Sequence, residues 1–187
     1  MTNAPWAGIA DFRDIASLNY YAERTGVGDA PEEVLERLRP TSRDNARTPM
    51  QWDASPHAGF TAGEPWIAAN PNHTEINAQA ARADPDSVFH HYRRLHELRH
   101  SEPAVALGAF TMLLPDDPQV YAFTRRLDGV ELLVLANVSG EPAAPAVPDA
   151  GGWAGAEVLV PNVPEPAGAP GFRLAPWEAL VLRRAVG

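Results

Sequence analysis

The sequence predicts a mixed α and β protein, with helices and long loops over residues 1–103 and an antiparallel β-sandwich domain over residues 104–187. Two observations carry this division. Apolar residues recur at helical spacing as far as Arg99 and then switch to alternation with a period of two. Pro103 stands at the change, and Gly and Pro punctuate the short runs after it. The second part, roughly 85 residues long, has the size of an independent folding unit.

Taken in order, a short helix is expected over residues 14–24. Asp29 before Pro31-Glu32-Glu33 reads as a helix start, with Asp29 as N-cap, an early proline and acids at the positive dipole end. That helix is expected to run to Arg39 and stop at Pro40. Residues 41–82 read as one long irregular stretch interrupted by Pro49, Pro56, Pro65 and Pro71, in which Trp52, Phe60 and Trp66 call for burial. Asp84-Pro85-Asp86-Ser87 reads as the opening of the strongest helix, with Asp84 as cap and Pro85 at its first position. Val88, Tyr92, Leu95 and Arg99, flanked by Phe89, His96 and Leu98, form a stripe along it, and Pro103 ends it. Strands are expected over 109–114, 120–126, 130–138, 156–160, 171–174 and 179–183, with Asp128-Gly129 turning the second into the third. Residues 141–155 read as a surface loop, and the strands offer no row of exposed aromatics.

Composition narrows the function. A net charge of −9 argues against nucleic acid, since no basic stripe follows a phosphate backbone. No run is long enough to span a membrane, residues 1–10 lack the pattern of a signal peptide, and there is no cysteine. Together these point to a cytoplasmic protein. All 15 basic residues are arginine, a bias that carries no mechanism.

His96-Glu97-Leu98-Arg99-His100 spells the pattern in which two histidines one helical turn apart bind zinc beside a general-base glutamate. A zinc site needs a third protein ligand, and no histidine follows His100. The expectation is therefore no metal: His96 belongs to the helix stripe and His100 is a solvated C-terminal cation.

The densest chemistry lies in Ser42-Arg43-Asp44-Asn45-Ala46-Arg47-Thr48-Pro49-Met50-Gln51-Trp52-Asp53. It packs two arginines, two aspartates, two amides and a tryptophan around one proline, without helical or strand periodicity. A loop so rich in hydrogen-bonding groups binds something polar or braces something that does.

These twelve residues resemble the segment late in the catalytic domain of α-glucosidases of glycoside hydrolase family 13, the branch of oligo-1,6-glucosidase, dextran glucosidase and their trehalulose- and trehalose-forming relatives. Ala58-Gly59-Phe60-Thr61, Pro65-Trp66-Ile67, Asn70-Pro71-Asn72 and Glu75-Ile76-Asn77 continue the pattern. Asp84-Pro85-Asp86-Ser87-Val88-Phe89 and Tyr92-Arg93-Arg94-Leu95 resemble the last barrel helix, and Met1-Thr2-Asn3 resembles the residues just after the eighth barrel strand. The likeness covers nearly all of residues 1–140; beyond them, Pro176-Trp177-Glu178-Ala179 carries it. The resemblance implies the last loop and helices of a (β/α)8 barrel over residues 1–103, followed by the C-terminal β-sandwich. It implies a retaining enzyme with two carboxylates roughly 5 Å apart. In the family these carboxylates and a third, stabilising aspartate follow earlier strands, so all three are expected upstream of Met1 and none on this chain. Arg43 is the expected substrate-binding residue, reaching a terminal glucose hydroxyl; the alternative is that it pairs with Asp44 or Asp53 to brace the loop. Asp44, Asn45, Arg47, Gln51, Trp52 and Asp53 are expected to brace it, with Trp52 packed in the core rather than stacked on a sugar. No cofactor is implied. The implied partners are an α-glucosidic oligosaccharide in the full-length enzyme and, for a split enzyme, the missing barrel portion as a separate chain. The rival expectation is an autonomous carbohydrate-binding or scaffolding β-sandwich.

Overall fold

A computed structural model describes residues 2–169 and 171–187. The chain divides into two compact units, one ending at His90 and one beginning at His91.

In the first unit, α1 (Ile15–Gly26) starts at Asp14, whose carboxylate accepts from the Ser17 amide at 3.3 Å. Helix α2 spans Pro31–Thr41, and its N-cap is Ala30, not Asp29. Asp29 stands one residue too early to cap, and its carboxylate pairs instead with Arg24 at 2.7 Å and Arg37 at 3.7 Å. Pro40 does not stop α2 but lies in its last turn. There the missing amide is tolerated, because the Ser42 amide closes the helix on the Leu38 carbonyl at 2.8 Å. The two helices frame a core of Ala4, Trp6, Phe12, Val34, Leu35, Leu38 and Ile67, in which the Trp6 and Phe12 rings lie 5.6 Å apart.

Residues beyond α2 are irregular as expected, apart from 3-10 turns at Arg43–Ala46, Pro56–Gly59 and Pro71–Thr74. Helix α3 (Ala78–Ala83) was not anticipated. Its alanines favour helix, Asn77 caps it by accepting from Ala80, and its first two amides find the carbonyls of Gln51 and Trp52 at 2.8 and 2.9 Å. Asp84 consequently ends α3 instead of opening the next helix, and α4 begins only at Val88 (Val88–Ser101). The large apolar groups also depart from expectation. Trp52, Phe60 and Trp66 are 53%, 51% and 65% exposed, and no residue of α4 is buried. The irregular stretch is fixed by hydrogen bonds rather than by burying its rings.

In the second unit, Pro103 ends α4 and at once occupies the first turn of a further helix, α5 (Pro103–Leu107), capped by Glu102. Five strands follow among the described residues: β1 (Ala109–Met112), β2 (Val120–Leu127), β3 (Val130–Asn137), β4 (Glu157–Pro161) and β5 (Ala179–Ala185). They form one antiparallel sheet in the order β1-β2-β3-β5-β4. Asp128 and Gly129 both take positive φ, the geometry of a tight two-residue hairpin turn, with Val130 paired to Leu127. Residues 171–174 contribute only the bridge between Leu174 and Ala143.

The sheet buries Val120, Ala122, Leu133, Leu135, Leu180 and Leu182 on one face. Against them pack Ala143, Val147, Trp153, Phe172 and Leu174, so the opposing layer of the sandwich is irregular chain pinned by that bridge. The stretch 141–155 is therefore a core contributor and not a surface loop. On the other face, Phe110, Tyr121 and Phe123 lie ring beside ring with centroids 5.1 and 5.3 Å apart, and Phe110 and Tyr121 are exposed. This is an aromatic row that strand alternation alone did not reveal, because Phe110 joins it from the neighbouring strand.

Candidate functional site

The loop of residues 42–53 is organised around a carboxylate outside it. Asp14, the cap of α1, is buried, and its Oδ1 accepts from Arg43 at 2.5 Å and from Arg47 at 3.3 Å. Its Oδ2 accepts from the Ser17 amide and hydroxyl, and the Ser17 hydroxyl meets that of Ser42 at 3.0 Å. The hydrogen bond from Arg43 holds the Asp14 carboxyl below the ordinary carboxylate range, against the upward push of burial and with help from Ser17. Asp44 is fully buried and accepts the backbone amides of Arg13 and Asp14 at 2.7 and 2.9 Å, so one aspartate positions the other.

Arg43 thus pairs with neither Asp44 nor Asp53. Its guanidinium is anchored at one edge by Asp14 while its side chain stays 61% exposed. Arg47 is more enclosed and bridges Asp14 and Asp44. Asn45 accepts from the Ala4 amide and the Trp6 indole and donates to the Arg39 carbonyl at 2.7 Å, tying the loop to α2 and to the core. Gln51 is buried, and its amide nitrogen donates to Asn72 and to the Ile76 carbonyl; its Oε1 accepts no hydrogen bond from the described residues. Asp53 accepts from the hydroxyl and amide of Ser55, which hold its carboxyl below the usual range. A Cβ at Gly59 would fall 2.6 Å from that carboxylate, so glycine is required there.

Two open clefts adjoin the loop. One, of about 220 Å³, is lined by Arg47, Met50, Phe60 and Trp66 among others. The other, of about 400 Å³, is lined by Trp52, Ala78, Gln79, Arg82 and Ala83. Trp52 forms a wall of this cleft instead of packing in the core.

Sequence reasoning missed Asp14. A signal was present: an aspartate standing directly before a helical run, where a carboxylate is placed to cap and is held in the fold. Along α4, His100 engages the His96 carbonyl through Nδ1, and Glu97 pairs with Arg93. Among the described residues no three histidine or carboxylate groups gather to hold a metal, and no helix is long and apolar enough to cross a membrane.

Comparison with known proteins places this geometry. Residues 7–108 match the family model "Alpha amylase, catalytic domain". The oligo-1,6-glucosidase of Parageobacillus thermoglucosidasius is 45% identical over 98% of this chain and 33% of its own length. The crystal structure of Bacillus licheniformis trehalose-6-phosphate hydrolase superposes with a TM-score of 0.90 at 39% identity, covering 99% of this chain and 34% of that one. The trehalulose synthase of Pseudomonas mesoacidophila does so with a TM-score of 0.85 at 42% identity, covering 98% and 33%. The chain spans about a third of the length of the relatives it matches.

Proposed function

The chain belongs to the alpha-amylase family, glycoside hydrolase family 13, and from that premise we propose that it is the C-terminal part of an α-glucosidase-type enzyme acting on α-glucosidic oligosaccharides. Residues 1–103 are the end of its catalytic barrel, and residues 104–187 its C-terminal β domain. The observation that carries the reading is the half-presented guanidinium of Arg43. A guanidinium offers five donors in a fixed plane and stays charged. Asp14 uses one edge, fixing orientation and balancing charge, and the exposed edge remains for a sugar hydroxyl. Arg47 shares the same carboxylate oxygen and keeps Asp14 in place.

Retaining hydrolysis needs a carboxylate nucleophile and a carboxylic acid/base on either side of the scissile bond. Neither Asp14 nor Asp44 suits those tasks: both are buried and committed to arginine and backbone donors. With these two committed, and the family's catalytic carboxylates expected after earlier barrel strands, residues 1–187 alone should not turn substrate over. Purified chain assayed on maltose, isomaltose and a chromogenic α-glucoside is expected to show no hydrolysis; turnover that persists through repurification overturns the reading. The role of Arg43 is tested by grafting this chain in place of the matching third of the Parageobacillus enzyme. In an active chimera, Arg43→Ala should raise KM by about tenfold or more, as loss of a charged hydrogen bond does.

A second reading, an autonomous saccharide-binding β module, is favoured by one feature, the ring row of Phe110, Tyr121 and Phe123. It predicts that maltotriose raises the melting temperature of residues 102–187, whereas the first reading predicts no shift.

A further inference from the structure

Trp52 is exposed, but its backbone is pinned on both sides. Its amide donates to the Ala58 carbonyl at 2.9 Å and its carbonyl accepts from the Gln79 amide at 2.9 Å. The Ala58 carbonyl is brought there by three consecutive left-handed residues, His57 at φ 54°, Ala58 at 59° and Gly59 at 66°. Non-glycine residues adopt this region only where the surroundings over-determine it. The strained turn thus fixes the Trp52 backbone beside α3, and from there its side chain lines the cleft in front of that helix.

Helix α3 reads Ala78-Gln79-Ala80-Ala81-Arg82-Ala83. Its two long side chains stand three residues apart, on one face of the helix, and the alanines beside them leave the cleft of about 400 Å³ open. That volume lies within the ~300–1,000 Å³ span of small-molecule sites. The Gln79 amide and the Arg82 guanidinium form no hydrogen bond or ion pair with the described residues, and both line the cleft with Trp52. One flat aromatic wall and two planar groups with free donors match a pyranose, which has an apolar C–H face and a rim of hydroxyls. The chain's charge of −9 and a lone guanidinium favour a neutral sugar over an anionic one.

We infer that the cleft between Trp52 and α3 binds a neutral pyranose unit of an α-glucosidic oligosaccharide, with Trp52 stacking on the ring and Gln79 and Arg82 holding its hydroxyls. The ligand class rests on the α-glucosidase reading; the site itself is separate from Arg43.

The test is titration of ¹⁵N-labelled residues 1–187 with isomaltotriose and with maltotriose, following the Trp52 indole N–H and the Gln79 side-chain amide. The Trp52 resonance is assigned by its loss in Trp52→Phe. At least one sugar is expected to shift both signals and saturate in the millimolar range. Trp52→Ala, read through Gln79, should weaken binding about tenfold, and Gln79→Ala about threefold. Both are expected to fold, because the loop uses only the backbone of Trp52 and Gln79 is exposed. Arg43→Ala should leave this titration unchanged. No shift up to about 100 mM of either sugar, affinity unaltered by both Trp52→Ala and Gln79→Ala, or loss of the shift in Arg43→Ala each overturns the inference. A normal titration here alongside an unchanged KM for Arg43→Ala in the chimera would overturn only the role given to Arg43.

Discussion

At the scale of single residues, the weight falls on Asp14. Its carboxyl is held below the ordinary value of 3.8 chiefly by the hydrogen bond from Arg43. A depressed folded-state value means the unfolded chain binds the proton more tightly. The stabilisation is thus complete above the unfolded value and drains away as pH falls through the folded one. Asp14→Asn keeps the helix cap but loses the charge; it should lower Tm at neutral pH and flatten the fall of Tm between about pH 5 and pH 2, measured by circular dichroism. Part of the acid sensitivity should remain, since Asp53 is depressed in the same direction by Ser55. A second residue shows strain on the surface. Trp177 is 63% exposed at φ 59°, held by its amide on the Ser139 carbonyl and by Asn162 on its own carbonyl. Glycine removes the Cβ clash of that conformation at some entropic cost. Trp177→Gly is expected to stabilise by roughly 0.5–1 kcal/mol in urea unfolding.

At the scale of elements, α5 shows how a five-residue helix survives. Glu102 caps it through Oε1 and, through Oε2, accepts from Arg183 of β5 at 2.9 Å. At the far end Arg125 of β2 donates to the carbonyls of Ala104, Ala106 and Gly108. The far end is thus satisfied by a long-range side chain and the near end by a local cap that a long-range arginine holds, and short helices need that help because nucleation is costly. Glu102→Ala should cost about 1–2 kcal/mol in chemical denaturation, combining a lost cap with a partly enclosed ion pair. The same dependence explains what the sequence could and could not say. Strands β2, β3 and β5 were legible because one face alternates into the core, α1 as a short helix near its Asp14 cap, and α2 by its first-turn proline and acids although its cap was misplaced. Helices α3 and α5 were not: the first amides of α3 find carbonyls of Gln51 and Trp52, while α5 relies on Arg125 for its last carbonyls and on Arg183 to hold its cap Glu102. Arg43 was legible as a loop cation, but its anchor was not, because Asp14 lies 29 residues away. Trp52 looked like core by residue type, and only the backbone pairing of its loop with α3 shows it standing at a cleft.

At the scale of the whole molecule, the two units differ in how much apolar surface they enclose. The sheet unit buries Leu133 and Leu135 of β3, Leu180 and Leu182 of β5 and Val120 and Ala122 of β2 beneath Trp153 and Phe172. The first unit has a smaller core, and both units leave large apolar groups in solvent: Ile15, Phe60, Trp66, Val88 and Phe89 in the first, Tyr92, Leu107 and Val138 in the second. Large exposed apolar groups in quantity mark surfaces meant to be covered. Native-state hydrogen exchange should therefore find the amides of β2, β3 and β5 outlasting those of α1 and α2, and sedimentation should show self-association that grows with concentration. Equal protection in a strict monomer would contradict this. The first unit also has an unusual clasp: Asn70 donates to the carbonyls of Thr2 and Asn3, and Asn72 to the Thr2 hydroxyl. These bonds join positions 67 to 70 residues apart, so they close a long loop before anything local rewards it. Such high contact order slows folding. It also sets an order during synthesis: the side chain of Asn3 can meet the Pro40 carbonyl early, but the carbonyls of Thr2 and Asn3 and the Thr2 hydroxyl gain their clasp only once Asn70 and Asn72 have left the ribosome, so this side of the clasp must wait for residues made long after it.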